Sequence, residues 1–228
     1  VRGDHIAILL ENHPLFIQIC VAAQRAGLYY TAISYRLQSD EVAYIVNDCG
    51  AKVFITSKDR QTVVEALLPD LPELDQAFML DGVIAGFESL EEAMAAQLGT
   101  PISDESIGTS MLYSSGTTGR PKGVFRQLPE GEWGAEDSAA LFRALYGATD
   151  DSIYLSPAPL YHAAPLTFSM GFLLGGMTLV IMEHFEAEAA LAAIQRYKIT
   201  HSQWVPTMFI RMLKLDEEAR LRYDVSSL

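Results

Sequence analysis

The sequence predicts an α/β protein of mostly parallel sheets with helices on both faces. Short apolar runs alternate with helical patterns along the whole chain. The strand-like runs show little internal alternation of apolar and polar residues, the pattern of strands buried on both faces. The 228 residues, half of them hydrophobic and a fifth charged, are enough for one large α/β domain or two small ones with a proper core.

HIAILL (His5–Leu10) reads as the first strand. Asn12 and Pro14 open a helix over PLFIQICVAAQRAG, and Gly27 is its natural stop. LYYTAIS follows as a strand. SDEVAYIVNDCG is a helix capped by Ser39 or Asp40 and ended by Gly50. KVFITS is a strand and KDRQTVVEALL a helix stopped by Pro69. QAFMLD is a strand, SLEEAMAAQLG a helix, and SIGTSMLYSS the next strand. EDSAALFRALYG, SIYLSPAP, MTLVIM, EAEAALAAIQRYK, ITHSQWV and PTMFIRMLKL continue the alternation. Ala163 to Met182 is twenty residues without a charge, the length of a bilayer span. Pro165, Gly171 and Gly175-Gly176 interrupt it, so it reads as a helix, a glycine stop and a strand. RQLPEGEWGAE (Arg126–Glu136) is the one long loop candidate, either a functional segment or an exposed insertion.

The net charge of −13 repels polyanions and argues against a nucleic-acid partner. Arg120, Lys122 and Arg126 nevertheless make a locally basic spot that suits one phosphorylated small molecule. Cys20 and Cys49 have no CxxC partner or neighbouring His pair, so zinc is not signalled. They read as reduced core residues, and a cytoplasmic location is expected, with no signal peptide at the start of the chain and no transmembrane span. Peripheral membrane contact stays open, as does the oligomeric state.

The basic spot lies in MLYSSGTTGRPKGV (Met111–Val124). Converging backbone N–H groups, hydroxyls and a cation are what phosphates need, and Ser114–Lys122 supplies all three. A P-loop does not fit: Pro121 precedes Lys122 where Gly should stand, and Gly123 follows it where Ser or Thr should stand. Pro121 also holds Arg120 extended, so the loop does not run straight into a helix.

YSSGTTGRPKGV instead resembles, at every position, the [ST]-[SG]-G-[ST]-[ST]-G-x-P-K-G signature of the adenylate-forming superfamily: acyl-CoA synthetases, aryl-CoA ligases, luciferases and peptide-synthetase adenylation domains. VRGDHIAILLENHPLF, GLYYTAISYRLQSDEVAYIVNDCGAKVFIT, PLYHAAPLTFSM and ITHSQWVPTMF resemble further segments of that family. The resemblance implies the large-domain fold of these enzymes. It also implies ATP-dependent activation of a carboxylic acid to an acyl-adenylate with loss of pyrophosphate, then thioester formation with CoA. A fatty or other hydrophobic acid is expected.

Carried over residue by residue, Ser114, Ser115, Gly116, Thr117, Thr118, Gly119 and Lys122 bind the ATP phosphates, with Thr117 a ligand for Mg2+. Lys122 and His162 are the catalytic candidates. His162 lies by the carboxylate, and Ala164 and Trp204 belong to the acid pocket, although Trp204 reads equally as ordinary core. His184 reads as a surface residue, and His5, His13 and His201 as structural. Where most relatives follow K-G-V with x-x-[TS]-H, this chain has Phe125-Arg126-Gln127-Leu128-Pro129, which leaves the acid open. The family's adenine, ribose and C-terminal lysine motifs have no counterpart. Residues 1–228 are therefore expected to be a partial N-terminal AMP-binding domain, lacking its first helices, its C-terminal part and the small C-terminal domain, and inactive alone. An aryl-CoA ligase, a peptide-synthetase-type adenylation domain and a truncated non-catalytic binding module are the alternatives.

Overall fold

A computed structural model describes residues 1–114, 120–135 and 137–228. The elements in chain order are β1 (His5–Leu9), α1 (Phe16–Arg25), β2 (Tyr29–Ala32), α2 (Ser39–Asp48), β3 (Ala51–Ser57), α3 (Gln61–Val64), β4 (Gln76–Leu80), β5 (Glu88–Ser89), α4 (Leu90–Ala95), β6 (Thr109–Ser110), β7 (Leu112–Ser114) and β8 (Lys122–Val124). There follow α5 (Ala140–Tyr146), β9 (Ile153–Ser156), α6 (Ala163–Leu174), β10 (Thr178–Ile181), α7 (Ala187–Tyr197), β11 (His201–Ser202), α8 (Pro206–Leu213) and α9 (Glu217–Leu221). The chain divides into two compact units, residues 1–11 with 18–135 and residues 12–17 with 136–228.

The first unit carries a six-stranded parallel sheet in the order β5-β4-β3-β1-β2-β6. β1 sits inside it, with Ile8 opposite both Ala32 and Ile55. Successive residues Ala7, Ile8 and Leu9 are all fully buried, which explains why the sequence shows no alternation there. Val42, Ala43, Ile45 and Val46 of α2 form one apolar stripe that joins a core with Leu9, Ile33, Phe54 and Met79. Gly27 ends α1 with φ of +71°, and a Cβ there would strike Ser106 Oγ at 2.2 Å, so both backbone and space require glycine.

Several boundaries differ from the sequence reading. The N-cap of α2 is Gln38 rather than Ser39 or Asp40. Glu41 accepts the Gln38 N–H at 3.0 Å, so the carboxylate reaching back sets the start of the helix. KDRQTVVEALL forms a 3-10 turn and then only the four-residue α3. SIGTSMLYSS is split, with β6 in the large sheet and β7 in a separate antiparallel pair. ITHSQWV contributes only the two residues of β11, and α9 and β5 were not foreseen.

His5 illustrates how the core constrains a titrating group. Its ring stacks on Tyr29 with centroids 4.4 Å apart, and its Nδ1 is buried without a hydrogen-bond partner among the described residues. Burial pushes its pKa below the usual histidine value, against an opposing pull from Asp4. The unfolded chain therefore binds this proton at a higher pH than the fold does. The contribution is harmless above the ordinary histidine range and destabilises as pH falls through it. Thermal melts between pH 7.5 and 5 are expected to fall less in His5→Phe than in the parent, because the ring contact is kept and the proton is not. Equal pH slopes would contradict this.

The second unit is a three-stranded parallel sheet, β10-β9-β11. Tyr154 faces Phe142 of α5 and Phe172 of α6, whereas Ile153 and Leu155 face Ile194 of α7. Helices thus cover both faces, as the buried runs required. The approach of α5 to α6 is close: a Cβ on Gly171 would lie 2.0 Å from the Phe142 ring. The uncharged stretch from Ala163 to Met182 is α6, the Gly175-Gly176 turn and β10, as read from its glycines. Among the described residues no helix is long and apolar enough to cross a membrane.

Candidate functional site

β7 and β8 form an antiparallel hairpin in which Ser114 stands opposite Lys122. Both are exposed at the ends of the strands. Ser115, Gly116, Thr117, Thr118 and Gly119 lie outside the described residues. Lys122 begins a strand and not a helix, which agrees with the rejection of a P-loop.

α2 buttresses this hairpin from within the first unit. Tyr44 Oη donates to Pro121 O at 3.1 Å, and the Arg120 guanidinium sits 5.0 Å over the Tyr44 ring. Tyr113 Oη donates to the Asp48 carboxylate. Burial and that carboxylate raise the Tyr113 pKa, so the phenol stays a donor. Arg120 is thus paired with an aromatic face, while Lys122 is exposed at the start of β8. From Phe125 to Ala135 the chain has neither helix nor strand. It is tied down nonetheless: Tyr29 Oη donates to Arg126 O at 2.6 Å, Arg2 Nη2 to Pro129 O at 2.9 Å, and Leu128 packs on the core.

In the second unit, β9 leads into the turn that carries His162. His162 is the N-cap of α6 and is exposed, with its ring 4.3 Å from that of Tyr161. Ala164 lies in the first turn of the same helix and is also exposed. The turn is held by Asn12, which is 7% exposed. Asn12 Nδ2 donates to Ala158 O at 3.1 Å and Met182 O at 2.8 Å, and Oδ1 accepts from Leu160 N at 2.8 Å.

A cavity of about 470 Å³ opens in this unit, within the size range of small-molecule sites. Its walls include Tyr146, Tyr154, Phe168, Phe172, Trp204 and Phe209, with Thr200 to Gln203 along one side. Trp204 both lines the cavity and packs beside the Leu155 and Ile194 cluster. His162 and Ala164 are not among the lining residues. His201, read as structural, lines the cavity, with Nδ1 2.8 Å from Thr200 Oγ1 and Nε2 donating to Tyr146 O at 3.0 Å. Tyr154 Oη and Gln203 Oε1 are buried without a hydrogen-bond partner among the described residues. A dry orphan of this kind costs roughly 1–3 kcal/mol. Phe168 and Phe172 at i and i+4, and Tyr154, His201 and Gln203 at strand alternation, are the sequence signals for this site.

The family follows from the whole chain. A family model described as AMP-binding enzyme matches residues 1–228. This chain belongs to the AMP-binding enzyme family. It is 32% identical to the 2-succinylbenzoate–CoA ligase of Oceanobacillus iheyensis over 93% of its length and 41% of the relative's. It is 28% identical to the crotonobetaine/carnitine–CoA ligase of Escherichia coli strain K12, over 97% of this chain and 45% of that one. The inhibitor-bound N-terminal domain of FACL13 from Mycobacterium tuberculosis superposes with a TM-score of 0.85 at 24% identity, covering all of this chain and 56% of that one. The chain spans about half the length of these relatives or less. The mostly parallel, helix-covered fold is that of the AMP-binding large domain.

Proposed function

We propose that this chain supplies the phosphate-binding loop and the acid-binding helix of an ATP-dependent carboxylic acid–CoA ligase, as part of a larger catalytic domain. The hairpin that presents Ser114 and Lys122 at the mouth of the signature loop carries this reading. In the proposed reaction a carboxylate oxygen attacks the α-phosphorus of ATP, and the bond to the β-phosphate oxygen breaks. Pyrophosphate leaves and an acyl-adenylate remains. The CoA thiolate then attacks the acyl carbon and AMP departs.

The loop hydroxyls, backbone N–H groups and the Lys122 ammonium would offset charge on the leaving pyrophosphate. His162 would orient the carboxylate at the start of α6, where Ala163 and Ala164 leave room beside it. Mg2+ would neutralise phosphate charge, with Thr117 of the signature as its protein ligand. Among the described residues no group of three His, Cys, Asp or Glu side chains is placed to hold an ion, so a metal arriving on the nucleotide fits this chain better than a resident one. The relatives' names point to unlike acids, an aromatic one and a betaine, so the hydrophobic acid is inferred from the cavity. The buried free cysteines support a cytoplasmic setting.

The test is acid-dependent ATP–pyrophosphate exchange by the complete gene product over a panel of fatty and aromatic acids, followed by thiol consumption with CoA. Exchange that needs an acid, and CoA-dependent release of AMP, are expected; the 228-residue chain alone should show at most weak ATP binding. A complete product that exchanges pyrophosphate with none of the acids would overturn the reading.

A further inference from the structure

We propose that Tyr44 and Asp48 of α2 are positioning residues that fix Lys122 by gripping the back of the β7–β8 hairpin; this rests on the acid-activating function proposed above. Ser114 stands opposite Lys122, and Tyr113 opposite Gly123. Side chains alternate along strands, so Ser114 and Lys122 share one face of the hairpin and Tyr113 points to the other. That other face is the one α2 holds. Tyr44 and Asp48 stand at i and i+4 and so lie on one side of the helix. The Asp48 carboxylate accepts from the phenol of Tyr113, the neighbour of Ser114. Tyr44 Oη donates at 3.1 Å to the carbonyl of Pro121, the neighbour of Lys122. Each strand is thus pinned beside the residue it presents.

Gly123 completes the clamp by having no side chain. A Cβ there would lie 3.0 Å from Tyr113 Cζ, 3.1 Å from its Oη and 2.5 Å from Met111 Cε. The phenol tip therefore crosses the backbone of Gly123 on its way to Asp48. The φ of Gly123 is not positive, so the position requires space and not backbone freedom. The bond that results joins a neutral donor to a carboxylate, a stronger kind than a bond between neutral groups. Tyr29 makes a bond of similar form, to Arg126 O at 2.6 Å, but beyond β8 at the far end from the signature loop. A group that offsets developing charge must stand in place beforehand, and a misplacement of about 1 Å can cost roughly 100-fold in rate. Bonds beside Ser114 and Lys122 bear on that placement, whereas the Tyr29 bond bears only on the fold.

The tests use the complete gene product. Asp48→Ala is expected to lower pyrophosphate exchange at saturating ATP about tenfold, with the acid concentration for half-maximal rate unchanged. Asp48 is exposed, so this variant should fold. Asp48→Asn keeps an acceptor for the phenol and should recover most of the loss. Gly123→Ala, which displaces the phenol instead of its partner, should behave like Asp48→Ala. In a Lys122→Ala background Asp48→Ala should add nothing, because the clamp acts through the lysine. Tyr29→Phe should stay within about twofold of the parent. Tryptic cleavage of the Lys122–Gly123 bond needs no activity, and Asp48→Ala and Tyr44→Phe should each speed it about tenfold by opening the hairpin. Unaltered exchange in Asp48→Ala, an equal fold-loss with and without Lys122, or an unaltered cleavage rate would overturn the proposal. Parent exchange that the α2 variants leave untouched would keep the ligase and reject the clamp. A parent without acid-dependent exchange, with faster cleavage in the variants, would reject the ligase and keep the clamp.

Discussion

Replacing Asn12 with alanine is expected to destabilise the second unit by about 3–5 kcal/mol. Three bonds are lost at once, two donated by Nδ2 to Ala158 O and Met182 O and one accepted by Oδ1 from Leu160 N. The groups left behind matter more than the bonds themselves. Two carbonyls and an N–H are left in a buried place where water does not replace the amide, and each such orphan costs about as much as a bond is worth, or more. Ala158 and Leu160 belong to the turn from β9 to His162, and Met182 directly follows β10, so one amide fixes the ends of two adjacent strands. Asn12→Asp keeps the acceptor but loses both donors and buries a charge, and it should destabilise at least as much. Denaturant melts give the number, and a loss below about 1 kcal/mol would mean that the turn is held otherwise. The variant should also loosen the His162 turn, so any acid binding should weaken more than stability alone accounts for.

Asn12 also marks the limit of what the sequence discloses. Read as the opener of α1, it stands four residues before the helix begins at Phe16, and its side chain bonds the β9–α6 turn and Met182 instead of capping the helix. Its partners are backbone groups about 150 residues away, and nothing near Asn12 announces them. The parallel sheets were legible for the opposite reason: burial on both faces leaves its mark on the consecutive buried residues Ile6–Leu9 of β1 and Phe54–Ser57 of β3. The glycine-rich signature stands out in the sequence because its glycine, proline and hydroxyl spacing is written in consecutive residues, and residues 115–119 of it lie outside the described residues. The N-cap of α2 was misplaced because Glu41, three residues on, reaches back to a glutamine that has no capping preference of its own. β11 is shorter than read because Gln203 and Trp204, beyond Ser202, line the cavity rather than continue the ladder. The cavity itself was half seen. Trp204 stood out as a tryptophan, while Tyr154 and Gln203 looked like ordinary strand residues. Among the described residues Tyr154 Oη and Gln203 Oε1 have no hydrogen-bond partner, and that is decided only when α6 and β11 close around them.

Lys122→Ala is expected to lower acid-dependent pyrophosphate exchange of the complete gene product by about 10²–10³-fold, the scale of removing one preorganised charge-stabilising group. The fold should barely notice. Lys122 is exposed at the first residue of β8, and exposed substitutions usually stay within about 0.5 kcal/mol. The buttressing of the hairpin runs through Tyr44, Arg120 and Tyr113, none of which depends on the lysine side chain. Activity and stability should therefore separate cleanly. If Lys122 acts on charge that develops as pyrophosphate leaves, the loss falls on the rate at saturating ATP more than on the ATP concentration needed for half of it. Lys122→Arg keeps the charge but changes reach and hydration, and it should recover only part of the rate. Arg120 is no substitute, because its guanidinium is already stacked on Tyr44. Exchange rates and melting curves measured on the same preparations decide the question. An alanine variant with an unaltered exchange rate would remove Lys122 from the reaction, and one that fails to fold would move it from chemistry to architecture.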